Sequence, residues 1–499
     1  MVTRNIQRVF ILLSCTFLGL ICGTLYLYSS YSPQLAKQLG YTVSESSKIA
    51  LFGTLGASLC GPLSGFVVDT FGYTYSLLIG GILIISGYIG IKYQFDSNLS
   101  CMSLTCFWLF NIGSGSTFIN SGCLKCCAVG FPSIRGVATS LPLALYGLSA
   151  LFYSVIASVF YPGNISDFLG FLGRSITIIF IICLPSVYLA DKEHKLKKAI
   201  NFKNKLEQPA SDTIDEKQSP NNEPKSTMEM FKNYKFWLLF LITGLLASLG
   251  QMYIYSVGYI VKSLVTYSIA TNQLQIDHSS TTTSSLSSDT YLSQDKIDLI
   301  VQQEQQIQVG LISIANCIGR IVSGILGDII SQSFQKPRSW LLFIPSIGLA
   351  MNQILNHIIN NYSSLSINSF LIGLNYGFTF CIMPIVIGDL FGMKNFSLNW
   401  GIISLSPIIP AYFFISYFGK EYDLNSSKLT VMSTNSTIKS SICSIGNKCY
   451  NKVFQLTFFA GILSVVLIFI FNFGHFKRKN NLLSLQDLRS NNLHVEKPK

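Results

Sequence analysis

Long apolar stretches alternate with short polar segments along almost the whole chain. A bilayer core about 30 Å thick requires about 20 apolar residues in one helix, and roughly twelve stretches reach that length. We number them spans 1 to 12 in chain order: 9–29, 48–68, 75–93, 100–124, 136–160, 172–190, 235–260, 305–328, 339–360, 366–388, 398–418 and 453–475. The short alternating segments of a membrane β-barrel are absent. The pattern therefore predicts an all-α integral membrane protein with twelve transmembrane helices.

Composition supports a membrane protein and excludes several other classes. Of the 499 residues, 49% are hydrophobic and only 12% are charged, and the mean hydropathy is +0.45. Soluble globular domains carry about 25% charged residues. A soluble enzyme, a disordered chain and a nucleic-acid-binding protein are therefore excluded.

The positions of the basic residues predict the orientation of the chain. Of the 35 Lys and Arg residues, 23 lie in segments that alternation of the spans puts on one side: the N-terminal segment, 125–135, 191–235, 336–338, the segment around Lys394 and the C-terminal tail. Basic residues favour the cytosolic side of a membrane, so both termini are expected there. Five N-x-S/T sequons fall on the opposite side and are candidate glycosylation sites: Asn98, Asn164, Asn361, Asn425 and Asn435.

The loops suggest how the chain is divided. We expect an N-terminal six-helix bundle (1–190), a cytosolic linker (191–234), a C-terminal six-helix bundle (235–476) and a cytosolic tail (477–499). The second bundle carries two long non-cytosolic loops, 262–303 and 419–452.

The cysteines offer one candidate disulfide and no convincing metal site. Cys443 and Cys449 both lie in the 419–452 loop, where a disulfide is chemically permitted; free thiols are the alternative. Cys123, Cys126 and Cys127 lie at the end of span 4 without a nearby His. Packing explains these three better than metal binding.

Two halves of the sequence share motifs at equivalent places. Gly65-x-x-x-Asp69 at the end of span 2 matches Gly324-x-x-x-Asp328 at the end of span 8. Two further pairs of motifs occur in the same register: Asn111-x-Gly113 with Asn375-x-Gly377, and Gly136 and Pro142 with Gly401 and Pro407. The chain is thus expected to form two pseudo-repeated six-helix bundles.

Six plus six spans with a Gly-rich Asp motif after spans 2 and 8 resemble the major facilitator superfamily (MFS). The segments YLYSSYSPQLAKQLGYT (26–42) and ANCIGRIVSGILGD (315–328) are similar to its nodulin-like and monocarboxylate-transporter-like branch, and most of all to a fungal monocarboxylate-transporter-homologue group. The resemblance implies alternating access around a site between the two bundles near the bilayer midplane. It also implies a vacuolar membrane location, with the plasma membrane as the second choice.

Arg320 is the leading candidate for binding the solute. It precedes Asp328 by eight residues, which places it about 12 Å inside the membrane at 1.5 Å per residue. A charge at that depth is costly unless it faces a cavity or a partner, and Arg binds carboxylates in a two-pronged geometry. The family resemblance implies that it contacts a substrate anion. The alternative is a structural Arg bonded to helix carbonyls or to a gate carboxylate.

Two departures from the family pattern bear on proton coupling. Asn316, one helical turn before Arg320, stands where the family often has an Asp, and Pro33-Gln34 stands where it has Pro-Lys. An amide cannot take up a proton, so we expect little dependence on a proton gradient through this position. Further cavity candidates, for which helix packing is the alternative role, are Asn111, Asn375, Gln251, Tyr255 and Tyr26.

Five charged residues are candidates for a gate on the cytosolic side. The resemblance implies that Asp69 and Asp328 cap neighbouring helices there. Lys125 and Asp389 lie at the same distance after Asn111 and Asn375 and carry opposite charges, so that with Arg135 they would form a latch between the bundles. Plain solvation of these charges is the alternative.

No sequence motif for catalysis or for a cofactor is present. We therefore expect a monomeric secondary transporter of a small solute, of the monocarboxylate or other organic-anion class, without a cofactor and with room for a coupling ion. The lipid bilayer is its other expected partner. The alternative is a non-transporting solute sensor on the same fold.

Overall fold

The computed structural model describes residues 2–41, 43–161, 164–207, 227–279, 294–433, 436–443 and 445–493. The helices of the first half are Val2–Cys22, Tyr28–Leu39, Val43–Leu59, Gly61–Thr70, Tyr73–Asp96, Met102–Gly130, Arg135–Phe160 and Ile165–Glu207. Those of the second half are Thr227–Lys232, Tyr234–Ser279, Gln294–Gln332, Phe343–Ile358, Tyr362–Phe391, Phe396–Ile403, Ile408–Asn425 and Asn451–Leu493. Short 3₁₀ turns cover Gly23–Leu27, Arg338–Leu342 and Gly446–Cys449.

Each half of the chain builds its own hydrophobic core. One core gathers buried side chains from Ile11 to Val187, and the other gathers them from Met230 to Phe471 with two contributions from the first half. Eleven helices within the described residues are long and apolar enough to cross a membrane. These features agree with the predicted all-α, twelve-helix fold of a multi-pass membrane protein.

Span 4 is the one predicted span that is not among those eleven. It is the helix Met102–Gly130, and Asn111, Asn120 and Lys125 lower its mean hydropathy. Most of its length is buried, because it packs against spans 1, 2, 3 and 5. A helix surrounded by protein needs no continuous apolar surface. Span 4 is therefore counted as the twelfth membrane span.

The ends of the spans differ from the prediction. Helix extends into what we predicted as the 262–303 loop, since span 7 continues to Ser279 and span 8 begins at Gln294. The 419–452 loop also has structure: strands Ser427–Ser433 and Ser436–Ile442 pair as an antiparallel hairpin. We call the side with this hairpin the hairpin side and the side with residues 191–234 the linker side.

Prolines break two spans where the halves meet. Span 2 is interrupted at Cys60, directly before Gly61 and Pro62, and span 11 is interrupted between Ile403 and Ile408, around Pro407. Proline lacks the N–H that would bond one turn back, so a helix tends to stop before it. The breaks divide each span into two shorter helices.

Glycines of the sequence repeat form two close crossings between the halves. A Cβ added at Gly136 in span 5 would lie 2.3 Å from the carbonyl oxygen of Gly324 in span 8. A Cβ at Gly65 in span 2 would lie 2.2 Å from the carbonyl oxygen of Ser397 in span 11. Only glycine allows backbones to approach this closely, so the repeated glycines are explained by contact between the bundles on the linker side.

Replacing one crossing glycine should prevent the linker side from closing. In Gly136→Ala the new methyl group would overlap the Gly324 carbonyl, whereas in the control Gly173→Ala it would enter open space. We expect cross-linking between cysteines introduced at Ser133 and Gln332, which are hydrogen-bonded across this side, to fall several-fold in Gly136→Ala only. Equal cross-linking in both variants would show that the close approach is not needed for closure.

Candidate functional site

A cavity lies between the two halves and extends toward the hairpin side. Its wider part, the outer cavity, has a volume of about 480 Å³ and is lined by spans 1, 2, 5, 7, 8 and 10. A narrower part of about 130 Å³, the deep cavity, lies next to it and adds spans 4 and 11 to the lining. Tyr26, Tyr255 and Tyr376 line both parts. The three tyrosines therefore mark the passage between the outer and the deep cavity.

Arg320 lines the deep cavity and is only 3% exposed. Its Nε donates to the Asn316 side-chain oxygen at 2.8 Å, and one terminal nitrogen donates to the carbonyl oxygen of Leu143 in the other half. The guanidinium lies over the Tyr146 ring, 5.3 Å from its centre. Within the described residues no carboxylate forms an ion pair with Arg320. Its positive charge is thus hydrogen-bonded and stacked but not neutralised.

The other predicted cavity residues divide into two groups. Asn316, Gln251, Tyr255 and Tyr26 line the outer cavity, the deep cavity or both. Asn111 and Asn375 are buried and line neither. These two asparagines are therefore not brought to Arg320.

Asn375 shows why sequence reasoning selected a residue that does not reach the cavity. It lies against Gly348 of span 9, and its amide donates to the Leu371 carbonyl at 2.8 Å. The next residue, Tyr376, is the one that lines the cavity. Successive residues point about 100° apart around a helix, so the repeat motif located the right turn of span 10 but not the right face.

Lys262 is a cavity residue that the sequence did not single out. It lines the outer cavity at the hairpin-side end of span 7. The sequence placed it at the start of a loop, whereas the helix continues through it. Lys262 follows Tyr255 by seven residues, or two helical turns, so the two residues share a face of the helix. This spacing was the signal in the sequence that could have identified Lys262.

On the linker side Asp69 joins the two halves. Its carboxylate accepts from the backbone N–H groups of Ser397 at 3.3 Å and Leu398 at 2.9 Å, near the start of the helix Phe396–Ile403. Lys125 pairs with the same carboxylate and donates to the Lys394 carbonyl at 3.1 Å. A carboxylate is stabilised at a helix N-terminus by the free N–H groups and the helix dipole.

Asp328 makes the equivalent contact in the other direction. Its carboxylate accepts from the N–H groups of Gly136 at 2.8 Å and Val137 at 2.9 Å, at the start of span 5. Arg338 pairs with it at 3.1 Å. Both repeat carboxylates therefore bind the second and third residues of a helix in the opposite half.

The remaining gate charges are paired differently from the expected arrangement. Arg135 of the first half pairs with Asp389 of the second at 3.1 Å, and Arg338 pairs with the other oxygen of Asp389 at 2.7 Å. Lys125 pairs with Asp69 rather than with Asp389. Arg338 was missed because it lies in a connecting segment before span 9, outside the repeat motifs. A gating role for these residues stays a prediction.

On the hairpin side the structure contains a disulfide between Cys443 and Cys449. Of the candidate glycosylation sites, Asn98, Asn164 and Asn361 are exposed, whereas Asn425 donates to the Glu421 carbonyl at 2.9 Å. Asn435 lies outside the described residues. No group of three or more His, Cys, Asp or Glu side chains in the described parts of the chain could hold a metal ion.

Removing one buried gate charge should destabilise the protein more than removing an exposed one. Asp69 and Lys125 are 5% and 6% exposed, so Asp69→Asn leaves a buried ammonium group without its partner. Such a loss costs about 3–5 kcal/mol, whereas an exposed pair contributes about 0–1 kcal/mol. The matched control is Asp96→Asn, whose pair with Lys92 is 42% and 35% exposed.

The measurement is thermal unfolding of both variants in detergent. We expect a large fall of the unfolding temperature in Asp69→Asn and almost none in Asp96→Asn. Equal small shifts would mean that the Asp69 contacts are solvated and do not hold the halves together.

Comparison with known proteins gives a consistent family. A family model described as Nodulin-like matches residues 8–205. The "Uncharacterized membrane protein YMR155W" of Saccharomyces cerevisiae is 24% identical, covering 93% of this chain and 94% of that protein. "Probable transporter MCH1" of Debaryomyces hansenii is 23% identical, covering 84% and 85%. The protein of the same name in Saccharomyces cerevisiae is 22% identical, with the same coverage.

Solved structures support the fold. The MFS transporter FucP in the outward conformation aligns with a TM-score of 0.50 at 12% identity, covering 91% of this chain and 98% of that one. A single-substitution variant of the E. coli fucose:proton symporter FucP aligns with a TM-score of 0.51 at 13% identity, covering 92% and 98%. The chain is thus similar to the Nodulin-like family over residues 8–205 and to proteins named "Probable transporter MCH1" over most of its length, and it shares the fold of the solved MFS transporter.

Proposed function

We propose that this protein is a secondary transporter that moves a small organic anion across a membrane by alternating access. The observation that carries the proposal is Arg320, a buried cation without a carboxylate partner in the described chain, in the wall of a cavity between the two halves. A charge in such a place is costly unless a ligand or water solvates it. The relatives named "Probable transporter MCH1" support transport.

The contacts of the two sides indicate which state the structure represents. The linker side is held by the crossings at Gly136 and Gly65 and by the contacts of Asp69 and Asp328. The outer cavity extends toward the hairpin side instead. Transport would require the linker-side contacts to separate while the hairpin side closes, with the anion bound near Arg320.

Location and orientation belong to the same proposal. The excess of Lys and Arg on the linker side supports a cytosolic position for that side. The family resemblance supports the vacuolar membrane, with the plasma membrane as the second choice. Under this proposal the cavity of the present state faces the vacuolar lumen.

Substitution of Arg320 should abolish transport of an organic anion. In Arg320→Gln the charge is lost, and in Arg320→Lys the two-pronged geometry is lost. Hydrogen bonds to charged groups contribute about 1.5–3 kcal/mol, so we expect the affinity to fall by about tenfold to a hundredfold in Arg320→Gln. The effect on transport is measured as flux of radiolabelled monocarboxylates into proteoliposomes. The control is Arg174→Gln, at an exposed position.

Three outcomes of that experiment are informative. Loss of flux in both Arg320 variants, with normal insertion, supports the proposal. Unchanged affinity in Arg320→Gln would reduce Arg320 to a structural role. Binding without flux under any gradient would favour a solute sensor.

A carboxylate introduced beside Arg320 should pair with it in place of the substrate anion. The Asn316 oxygen accepts from Arg320 Nε at 2.8 Å, so the carboxylate of Asn316→Asp would pair with the guanidinium. We expect anion binding to weaken at neutral pH and to recover as the pH falls and the new carboxyl group is protonated. Wild-type binding should lack this pH dependence; if Asn316→Asp binds the anion like wild type at all pH values, the anion does not use Arg320.

A further inference from the structure

Two cations line the cavity, and no acidic side chain accompanies them. Lys262 lines the outer cavity and Arg320 lines the deep cavity. Among the described residues that line either part, none is Asp or Glu. The cavity therefore has a positive charge in each of its two parts and no negative charge in its described walls.

Lys262 and Arg320 differ from the cations at the linker-side contacts, because no carboxylate within the described residues pairs with either of them. Lys125, Arg135 and Arg338 each pair with an aspartate. Two exposed lysines also pair: Lys452 with Glu421 at 2.9 Å and Lys197 with Glu193 at 2.7 Å. For Lys262 and Arg320 no such pair is found in the described residues, so their charges are available to a ligand.

The tyrosine passage lies between the two cations. Tyr255 lines both parts of the cavity, and Lys262 lies seven residues farther along span 7, which is about 10 Å at 1.5 Å per residue. Arg320 lies on the other side of the tyrosine passage, one helical turn beyond Asn316. The two cations therefore lie in different parts of the cavity, on either side of the tyrosine passage.

The wall between the two cations suits an apolar chain. Leu25, Ile254, Val257, Val309 and Ile312 line the outer cavity beside the tyrosines. Methylene groups gain free energy by leaving water for such a surface, about 0.8 kcal/mol each when fully buried. The cavity thus offers a charge, an apolar path and a second charge in sequence.

We propose that the cavity binds an organic dianion, with one carboxylate at Arg320 and the other at Lys262. This inference rests on the proposed function, because it takes the anion at Arg320 as given and adds the second contact. The aliphatic body of the ligand passes between Tyr26, Tyr255 and Tyr376. Selectivity for length follows, since only a ligand of sufficient reach pairs with both cations.

The test is a series of α,ω-dicarboxylates and their monomethyl esters. Malonate, glutarate, pimelate and azelate differ in length, and each monomethyl ester keeps nearly the same length with one charge removed. Binding to the purified full-length protein is measured by calorimetry in detergent. We expect the longer diacids to bind about tenfold or more tightly than their monoesters, and malonate to show no such advantage.

Variants of Lys262 test whether this residue pairs with the second carboxylate of the ligand. In Lys262→Gln the long diacids should no longer bind more tightly than their monoesters. The affinity for the monoesters should stay within about twofold of the wild-type value. Lys262→Arg should retain the advantage. The exposed Lys420→Gln is the control for loss of a positive charge on the hairpin side outside the cavity lining.

The outcomes separate this inference from the proposed function. If monoesters and diacids bind equally, or if Lys262→Gln weakens both equally, the dianion proposal fails while an anion site at Arg320 remains. If no carboxylate of the series binds and Arg320→Gln changes nothing, the proposed function itself fails.

Discussion

The need to pair every charge inside a bilayer explains most of this structure. Asp69 and Asp328 lie at the ends of membrane spans, where an unpaired carboxylate would be costly. Each is satisfied by the first turn of a helix in the opposite half and by a basic side chain. Those helix starts come close enough only because glycines remove the side chains at the crossings. Satisfying the two carboxylates therefore also joins the two halves on the linker side, and the space that remains between them is the cavity.

The same requirement makes Arg320 and Lys262 candidates for contact with a ligand, because neither has a carboxylate partner in the described chain. Arg320 is held by Asn316, by the Leu143 carbonyl of the other half and by the Tyr146 ring. A dipole and a ring stabilise a cation without neutralising it, so an anion that enters the cavity meets a preformed but unsaturated site. The bond to Leu143 also crosses between the halves, which means that a ligand competing for Arg320 would alter a contact between the bundles. Under the proposed function, binding and rearrangement would be linked through this side chain.

Much of this arrangement could be predicted from the sequence, and the failures have physical reasons. Span length follows from bilayer thickness, so the spans were predicted even where span 4 is polar and shielded by its neighbours. The superfamily resemblance found in the repeat of Gly65-x-x-x-Asp69 agrees with the fold of the solved MFS transporter and with the Nodulin-like match. Tyr376 was missed because a motif gives a turn of helix but not its face. Lys262 was missed because it follows the apolar stretch of span 7, so the helix was predicted to end before it. Arg338 lies in a connecting segment, whose path depends on tertiary contacts rather than on a local pattern.

We propose that an anion at Arg320 drives the exchange between two states of the same cavity. Distances between spin labels across the linker side and across the hairpin side, measured in nanodiscs with and without a bound organic anion, test it most directly. We expect the anion to shift the population toward longer linker-side and shorter hairpin-side distances in the wild type, and we expect Arg320→Gln to abolish the shift. An anion that binds without changing either distance, or a shift that persists in Arg320→Gln, would contradict it.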